Sequence, residues 1–355
     1  MIHPLYELRR LGADFHASGI SARARSGRRL PAPRYVLWDS TRRCNLKCSH
    51  CGAASEQYGH ELTTAQVRAL IDELAALRVD MFAVTGGEPL LRPDLLDLLD
   101  YAHHAGLKTG IATNGFLIDA GKALALQQAS ATSVQVSLDG LASTHSRVRG
   151  HPQAFDRALS AIGDLLGAGI PLVSAATTVT PQNLDELDGL RQLLDRSGVH
   201  LWRLGVVMPI GRARQADLTL QGDGLRSMLD FASRNSSQRL RILVTENLPF
   251  LGGWEKRLRG APQTCPVGWT AACIGVTGQV RGCPEMPDAT PFQEGSILER
   301  RFDEIWQNGF QRYRQRSILK DDPVCRTCLD ADRCFGGCWV MRLGEKHCIH
   351  ELLAE

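Results

Sequence analysis

The eleven cysteines of this 355-residue chain fall into two groups with a long desert between them. Three lie in Cys44-Asn-Leu-Lys-Cys48-Ser-His-Cys51, none occurs from Gly52 to Thr264, and eight lie between Cys265 and Cys348. A secreted, disulfide-stapled domain is not built this way, and thiols in a reducing compartment stay reduced. Short fixed spacings let thiolates converge on one metal centre, and iron–sulfur ligation accounts for the pattern best. The chain must therefore fold a cysteine-free body between two thiol-bearing ends.

That body is large enough for a substantial core, as one large domain or two. Hydrophobic residues make up 43% of the chain and mean hydropathy is −0.16, as in a globular protein. No apolar run reaches the roughly 18 residues of a membrane span, and the N-terminus lacks the apolar stretch of a secretory signal. The expected location is the cytoplasm. A net charge of +3 argues for neither nucleic acid nor an anionic membrane as partner. The first 34 residues are an exception, with seven arginines against Glu7 and Asp14. They read as a solvated arm or as a contact for an acidic partner peptide.

From Tyr35 onward, short apolar strands alternate with amphipathic helical patterns. Strands are predicted at 35–39, 81–85, 108–113, 133–138, 172–177 and 201–207. Helices are predicted at 63–77, 93–105, 118–128, 153–166 and 183–196. Thr63 or Thr64 suits a helix cap and Pro93 a first turn, and Gly106 and Gly169 suit helix ends. Strands separated by helices imply a parallel α/β sheet or barrel, with ligands at the carboxyl ends of the strands. The expected fold is α/β: a partial (β/α)6 barrel followed by a small Cys-rich domain of a β-hairpin and short helices. The expected boundaries are a basic arm at 1–33, the barrel at 34–210, a bridging segment at 211–260 and the Cys-rich domain at 261–355.

The first cysteine trio directly follows the first strand, on a loop at the carboxyl-end rim. Three thiolates on a tight loop can hold three irons of a cubane and leave the fourth open to chelate a small molecule. A zinc site, with His50 as fourth ligand, is the plain alternative. Thr85-Gly86-Gly87-Glu88-Pro89 ends the second strand, where paired glycines allow the backbone to approach a ligand closely. Glu88 is placed to accept a hydrogen bond from an ammonium group. Ser137-Leu138-Asp139-Gly140 ends the fourth strand, with Arg147 and Arg149 after it; a hydroxyl and an arginine there suit a carboxylate, or make only a polar turn and a surface ion pair. Thr113-Asn114-Gly115 ends the third strand and is a ribose contact or simply a turn.

The cysteine trio followed by Gly86-Gly87-Glu88-Pro89 resembles the radical S-adenosylmethionine (radical SAM) superfamily. The resemblance implies that the open iron binds the amine and carboxylate of S-adenosylmethionine. Electron transfer then cleaves that molecule to methionine and a 5′-deoxyadenosyl radical. It also implies that Gly86, Gly87, Glu88 and Pro89 hold the methionyl amine, and that Ser137 and Arg149, beside Asp139, contact the carboxylate or ribose. Asn114 would reach the ribose and His50 would lie against the adenine. Residues 205–211 would offer the adenine backbone groups.

The later cysteines read Cys265-x7-Cys273-x9-Cys283 and Cys325-x2-Cys328-x5-Cys334-x3-Cys338-x9-Cys348. They resemble the SPASM extension of radical SAM enzymes, which implies two auxiliary [4Fe–4S] clusters and three in all. One would take Cys325, Cys328, Cys334 and Cys348. The other would take Cys265, Cys283 and Cys338, with Cys273 as fourth ligand or as a plain buried thiol. Zinc is again the alternative, because paired CxxC spacings suit zinc ribbons. Relatives that oxidise a sulfatase residue carry aspartate directly after the cysteine matching Cys283. Pro284 stands here instead, which weighs against that reaction; Glu285 and Asp288 are the acid/base candidates.

Three functions follow as alternatives. The first is maturation of a ribosomally made peptide by a crosslink, thioether or oxidation. It is drawn from the likeness of the Cys283-Pro-Glu-Met and Ala331-Asp-Arg-Cys334-Phe-Gly-Gly-Cys338 stretches to that branch. Its partners would be the peptide, a separate leader-binding protein and an electron donor such as flavodoxin or ferredoxin. The second is tetrapyrrole side-chain processing. The third is a non-enzymatic electron-transfer or zinc-stabilised binding protein.

Overall fold

The computed structural model describes residues 29–52, 60–215, 218–245, 247–259, 264–287, 291–315, 318–343 and 348–353. Of the basic arm, Arg9, Arg10, Arg23, Arg25 and Arg28 lie outside these residues, as does Asp288. Strand alternation builds the sheet. In β1 (Tyr35–Asp39), Val36 and Trp38 are fully buried while Tyr35 and Leu37 keep partial exposure. The same period of two recurs in β4 (Ser133–Ser137) and the end of β5 (Leu172–Val179), whereas β2 (Met81–Thr85), β3 (Lys108–Thr113) and β6 (Leu201–Val206) are buried over three consecutive residues. The strands of this series pair in parallel with their sequence neighbours.

The crossovers are helices: α1 (Thr64–Ala76), α2 (Leu95–His104), α3 (Ala120–Gln128), α4 (Ala142–Arg149), α5 (Ala154–Gly167) and α6 (Leu187–Ser197). Thr63 caps α1 in a capping box: its hydroxyl accepts from Gln66 N at 3.3 Å, and Gln66 Oε1 accepts from Thr63 N at 2.9 Å. The outward strand face packs Val36, Phe82, Val84, Ile111, Val134 and Val136 against Leu70, Leu74, Leu99 and Ile162 of the helices. Each such buried side chain contributes about 1.5–3 kcal/mol relative to exposure. The opposite face looks into the concave side of the sheet. Ala112, Gln135, Ser137, Ala176 and Thr178 keep partial exposure there.

All six predicted strands form, and the sheet runs further at both edges. Residues 211–260 contain α7 (Gly222–Asn235) and a seventh parallel strand, β7 (Arg241–Val244), on β6. Its four residues are too short an apolar run to register as a strand in sequence. On the other side, the predicted hairpin forms as β8 (Ala271–Ile274) and β9 (Gln279–Arg281), joined by β10 (Gln293–Ser296). β8 pairs in parallel with β1. One ten-stranded sheet therefore runs β10-β9-β8-β1-β2-β3-β4-β5-β6-β7. It places the Cys-rich hairpin beside the strand that leads into the first cysteine loop. α8 (Phe302–Asn308) then packs against α1, with Glu73 accepting from Phe302 N and Asp303 N at 3.1 Å each.

Candidate active site

The first cysteine loop leaves β1 and is pinned on three sides. From β2, Gly87 N donates to Thr41 O at 2.6 Å and Glu88 N to Arg43 O at 2.8 Å. A Cβ on Gly86 would lie 2.5 Å from Thr41 O, and one on Gly87 2.2 Å from Arg43 O. The paired glycines therefore allow a close approach to the cysteine loop itself, where the sequence suggested an approach to a ligand. From α4, Val148 O accepts from Ser49 N at 2.9 Å. From the loop after β6, Arg212 N donates to Cys51 O at 3.1 Å and Arg212 Nε to Cys48 O at 2.7 Å. Gly211, at φ +57°, fits because a Cβ there would lie 2.5 Å from Cys51 O.

Glu88 is fully buried. Its Oε1 accepts from Thr113 Oγ1 at 2.8 Å and Leu90 N at 3.2 Å, and its Oε2 from Asn114 N at 2.8 Å. Burial pushes its carboxyl above the usual range, although all three donors oppose the shift. Two of the acceptor positions of the acid are thus spent on tying β2 to the end of β3, and a third on its own turn at Leu90. Asn114 continues the tie: its Nδ2 donates to Asn45 Oδ1, inside the cysteine motif, at 2.8 Å.

A buried charge group flanks the same loop. Asp139 Oδ2 lies 2.6 Å from Arg149 Nη2 and 3.3 Å from His50 Nε2, and its Oδ1 accepts from Thr178 N at 2.8 Å. Burial opposes its ionisation, but Arg149, His50 and His145 outweigh it and hold the carboxyl below the usual range. Arg149 also donates through Nη1 to Cys48 Sγ at 3.6 Å. His50 is held below its ordinary pKa by burial, against the pull of Asp139 and with Arg149 and Arg212 adding to the effect. It is neutral at pH 7, and its buried Nδ1 has no protein partner. Ser137, at the end of β4, keeps partial exposure on the concave face. Pro89 opens a short helical turn beside Glu88 and is buried.

The thiols of the trio share one neighbourhood. Burial raises the Cys44 pKa, a hydrogen bond from Leu46 N opposes this, and Cys48, Glu88 and Cys51 add repulsion. Cys44 is the exposed member and Cys48 is buried. At the other end of the chain, Cys325, Cys328, Cys334 and Cys348 line one small cavity with Arg342 and His350. Burial pushes the Cys334 thiol up to about 12, and Cys348, Cys325 and Cys328 repel it further. Cys283 is raised by burial, then by Glu285 and Cys338. Cys265 and Cys283 both face Tyr313. Cys273, fully buried on β8, lies against Arg281 and Asp39 and belongs to the surroundings of Cys283. Glu285 reaches across to the first loop, where a Cβ on Gly52 would come within 2.4 Å of its Oε2.

These donors fit iron–sulfur clusters. Cys44, Cys48 and Cys51 lie within reach of one another, Cys325, Cys328, Cys334 and Cys348 line one cavity, and the buried His50 Nδ1 has no hydrogen-bond partner.

Several of these residues carry no sequence signal. Asn45, Arg212 and Arg281 meet partners far along the chain. Arg92 is similar: it is buried, stacks 4.9 Å over Trp38, and donates to Ser40 O at 3.3 Å and Leu62 O at 3.1 Å, fixing the exit of β1.

An open parallel sheet with a thiol loop at the rim of β1 and further thiol groups at the adjoining edge defines an iron–sulfur enzyme of the partial-barrel class. The family model of the radical SAM superfamily matches residues 38–194, and that of the SPASM iron-sulfur cluster-binding domain matches residues 265–329. The chain is 31% identical over 329 residues to the AdoMet-dependent heme synthase of Methanosarcina barkeri, covering 86% of this chain and 91% of that protein. It is 33% identical over 328 residues to the mycofactocin maturase MftC of Mycolicibacterium smegmatis, covering 89% of this chain and 80% of that protein. The structure of Streptococcus suis SuiB bound to S-adenosylmethionine shares the fold at a TM-score of 0.73 and 17% identity, over 93% of this chain and 79% of that one. The chain belongs to the radical SAM superfamily and carries its SPASM extension. It is an enzyme that uses [4Fe–4S] clusters and S-adenosylmethionine. Among the described residues, no helix is long and apolar enough to cross a membrane.

Proposed function

We propose that the enzyme modifies a ribosomally made peptide by abstracting hydrogen from a side chain or Cα, leading to a crosslink, thioether or oxidised residue. The ligand sets of the reading are Cys44, Cys48 and Cys51 for the cluster that binds S-adenosylmethionine, then Cys325, Cys328, Cys334 and Cys348, then Cys265, Cys273, Cys283 and Cys338. When bound, cluster and S-adenosylmethionine together supply the 5′-deoxyadenosyl radical. The chain's own residues set the stage for it. Gly87, Glu88, Asn114, Arg149 and Arg212 hold the thiol loop rigid, and neutral His50 offers a flat face with one unused nitrogen. The concave face of β3 to β5 is lined by small or uncharged groups that keep partial exposure.

One observation carries the choice of peptide over a tetrapyrrole with its several carboxylates. The cations at the site are already engaged by the chain: Arg42 and Arg281 by Asp39, Arg149 by Asp139, and Arg212 by Cys48 O. The concave positions Ala112, Gln135, Ser137, Ala176 and Thr178 suit an extended backbone better than a polyanion. Similarity to the mycofactocin maturase supports this reading, and similarity to the heme synthase supports the tetrapyrrole alternative. A leader-binding protein and a flavodoxin or ferredoxin are the partners that the peptide reading calls for. The test is mass spectrometry of candidate precursor peptides, encoded beside the gene and co-expressed with it. A product lacking two hydrogens, absent when Cys44, Cys48 and Cys51 are replaced, supports the reading. Unmodified peptides together with conversion of a porphyrin substrate would replace it with the second.

A further inference from the structure

Asp39 closes β1, and two guanidinium groups meet its Oδ2: Arg281 Nη2 at 2.6 Å and Arg42 Nη2 at 3.0 Å. Arg42 lies two residues before Cys44. Arg281 stands on β9 directly opposite Cys273 on β8. Its guanidinium lies near the Cys273 thiol and donates through Nη1 to Met286 O at 3.2 Å. Arg281 and Cys273 are fully buried and Asp39 is 1% exposed. Glu285 is the other carboxylate packed against this group.

Burying a guanidinium this deeply is costly, and an apolar pair of similar volume would hold two strands together at least as well. The contact with Cys273 offers a reason for the charge. The potential of an iron–sulfur cluster depends on its net charge and on hydrogen bonds to its sulfurs. One-electron reduction adds negative charge to the cluster, so a fixed cation beside a ligand sulfur favours the reduced form. In a buried, low-dielectric setting the effect is amplified. Asp39 opposes it with a charge of the other sign.

We propose that Arg281 is a positioning residue that raises the reduction potential of the auxiliary cluster held at Cys273 and Cys283, and that Asp39 is the counter-charge limiting the rise. The proposal rests on the reading of Cys273 as a ligand. It differs from a purely structural role in one respect: removing the cation and removing the anion must shift the potential in opposite directions.

The test is an EPR-monitored redox titration of the anaerobically reconstituted full chain, with dithionite as reductant, for wild type, Arg281→Met and Asp39→Asn. The expected result is a lower midpoint of that auxiliary signal in R281M and a higher one in D39N. Shifts in the same direction, or none, overturn the proposal. Should R281M fail to fold, the near-isosteric D39N decides alone: a rise supports the proposal, and an unchanged or lower midpoint overturns it. Cys273→Ser separates the two layers of the reading. An unaltered auxiliary signal with full iron in C273S removes Cys273 from the ligand set and overturns the proposal with it. An altered signal in C273S beside unmoved midpoints in both charge variants leaves the ligand set standing and overturns the role of Arg281 alone.

Discussion

Replacing Gly87 with alanine should detach the first cysteine loop. The added Cβ would sit 2.2 Å from Arg43 O, 2.7 Å from Arg43 C and 2.8 Å from Arg42 O. These are backbone atoms, so no side chain can swing away, and the two loops must part by roughly an ångström, as overpacked sites do. Two hydrogen bonds cross the same gap, Gly87 N to Thr41 O at 2.6 Å and Glu88 N to Arg43 O at 2.8 Å. Losing both costs about 2 kcal/mol, and the overpacking about 1–3 kcal/mol more. Together this is about 3–5 kcal/mol, a large share of the roughly 5–15 kcal/mol that holds an ordinary domain folded. The control is Gly163→Ala in α5, where a Cβ meets nothing within 4 Å. There alanine should be neutral or stabilise by about 0.5–1 kcal/mol. The assay is urea denaturation together with iron content after anaerobic reconstitution. G87A should lose about one cluster's iron and unfold at lower urea, and G163A should do neither. A G87A protein with full iron and the midpoint of G163A would refute the reasoning.

Other expectations follow from the same geometry. Burial holds His145 down to about 4 from 6.5, with Arg149 adding to the shift, so the unfolded chain takes up a proton that the folded chain refuses. Stability should therefore fall as pH drops from about 6.5 towards 4, by up to about 3 kcal/mol from this group. His145→Asn, which keeps an acceptor for Asp139 N, should flatten that part of the pH–stability curve measured by urea denaturation. Arg149→Met leaves the Asp139 carboxylate buried beside a neutral imidazole and should cost about 3–5 kcal/mol. In a double-mutant cycle, adding Asp139→Asn should recover part of that loss. Replacing Cys325, Cys328, Cys334 and Cys348 together should remove one cluster's iron and leave the spectrum of the other two in place.

The parts that sequence revealed are those written in local pattern. Short apolar runs between helical patterns mark β1 to β6, and short spacings mark the cysteine groups, because both depend on near neighbours in the chain. α4 was missed because Ala-Ser-Thr-His-Ser-Arg-Val-Arg has almost no apolar face, yet it delivers Arg149 to the site. The glycine pair was legible as a close approach, but not what it approaches, since Arg43 and Gly87 meet only once β1 and β2 pair. Glu88 is similar: its role in joining β2 to β3 depends on donors at Thr113 and Asn114. Arg281 and Asp39 are separated by most of the chain, and only the parallel pairing of β8 with β1 brings them together.

The most direct measurement of the central claim is 5′-deoxyadenosine formed by the anaerobically reconstituted protein with S-adenosylmethionine and dithionite. The account predicts formation by the wild-type chain, and none when Cys44, Cys48 and Cys51 are replaced together and one cluster's iron is gone. A fully iron-loaded wild-type protein that forms none, or a triple variant that still forms it, would contradict the account.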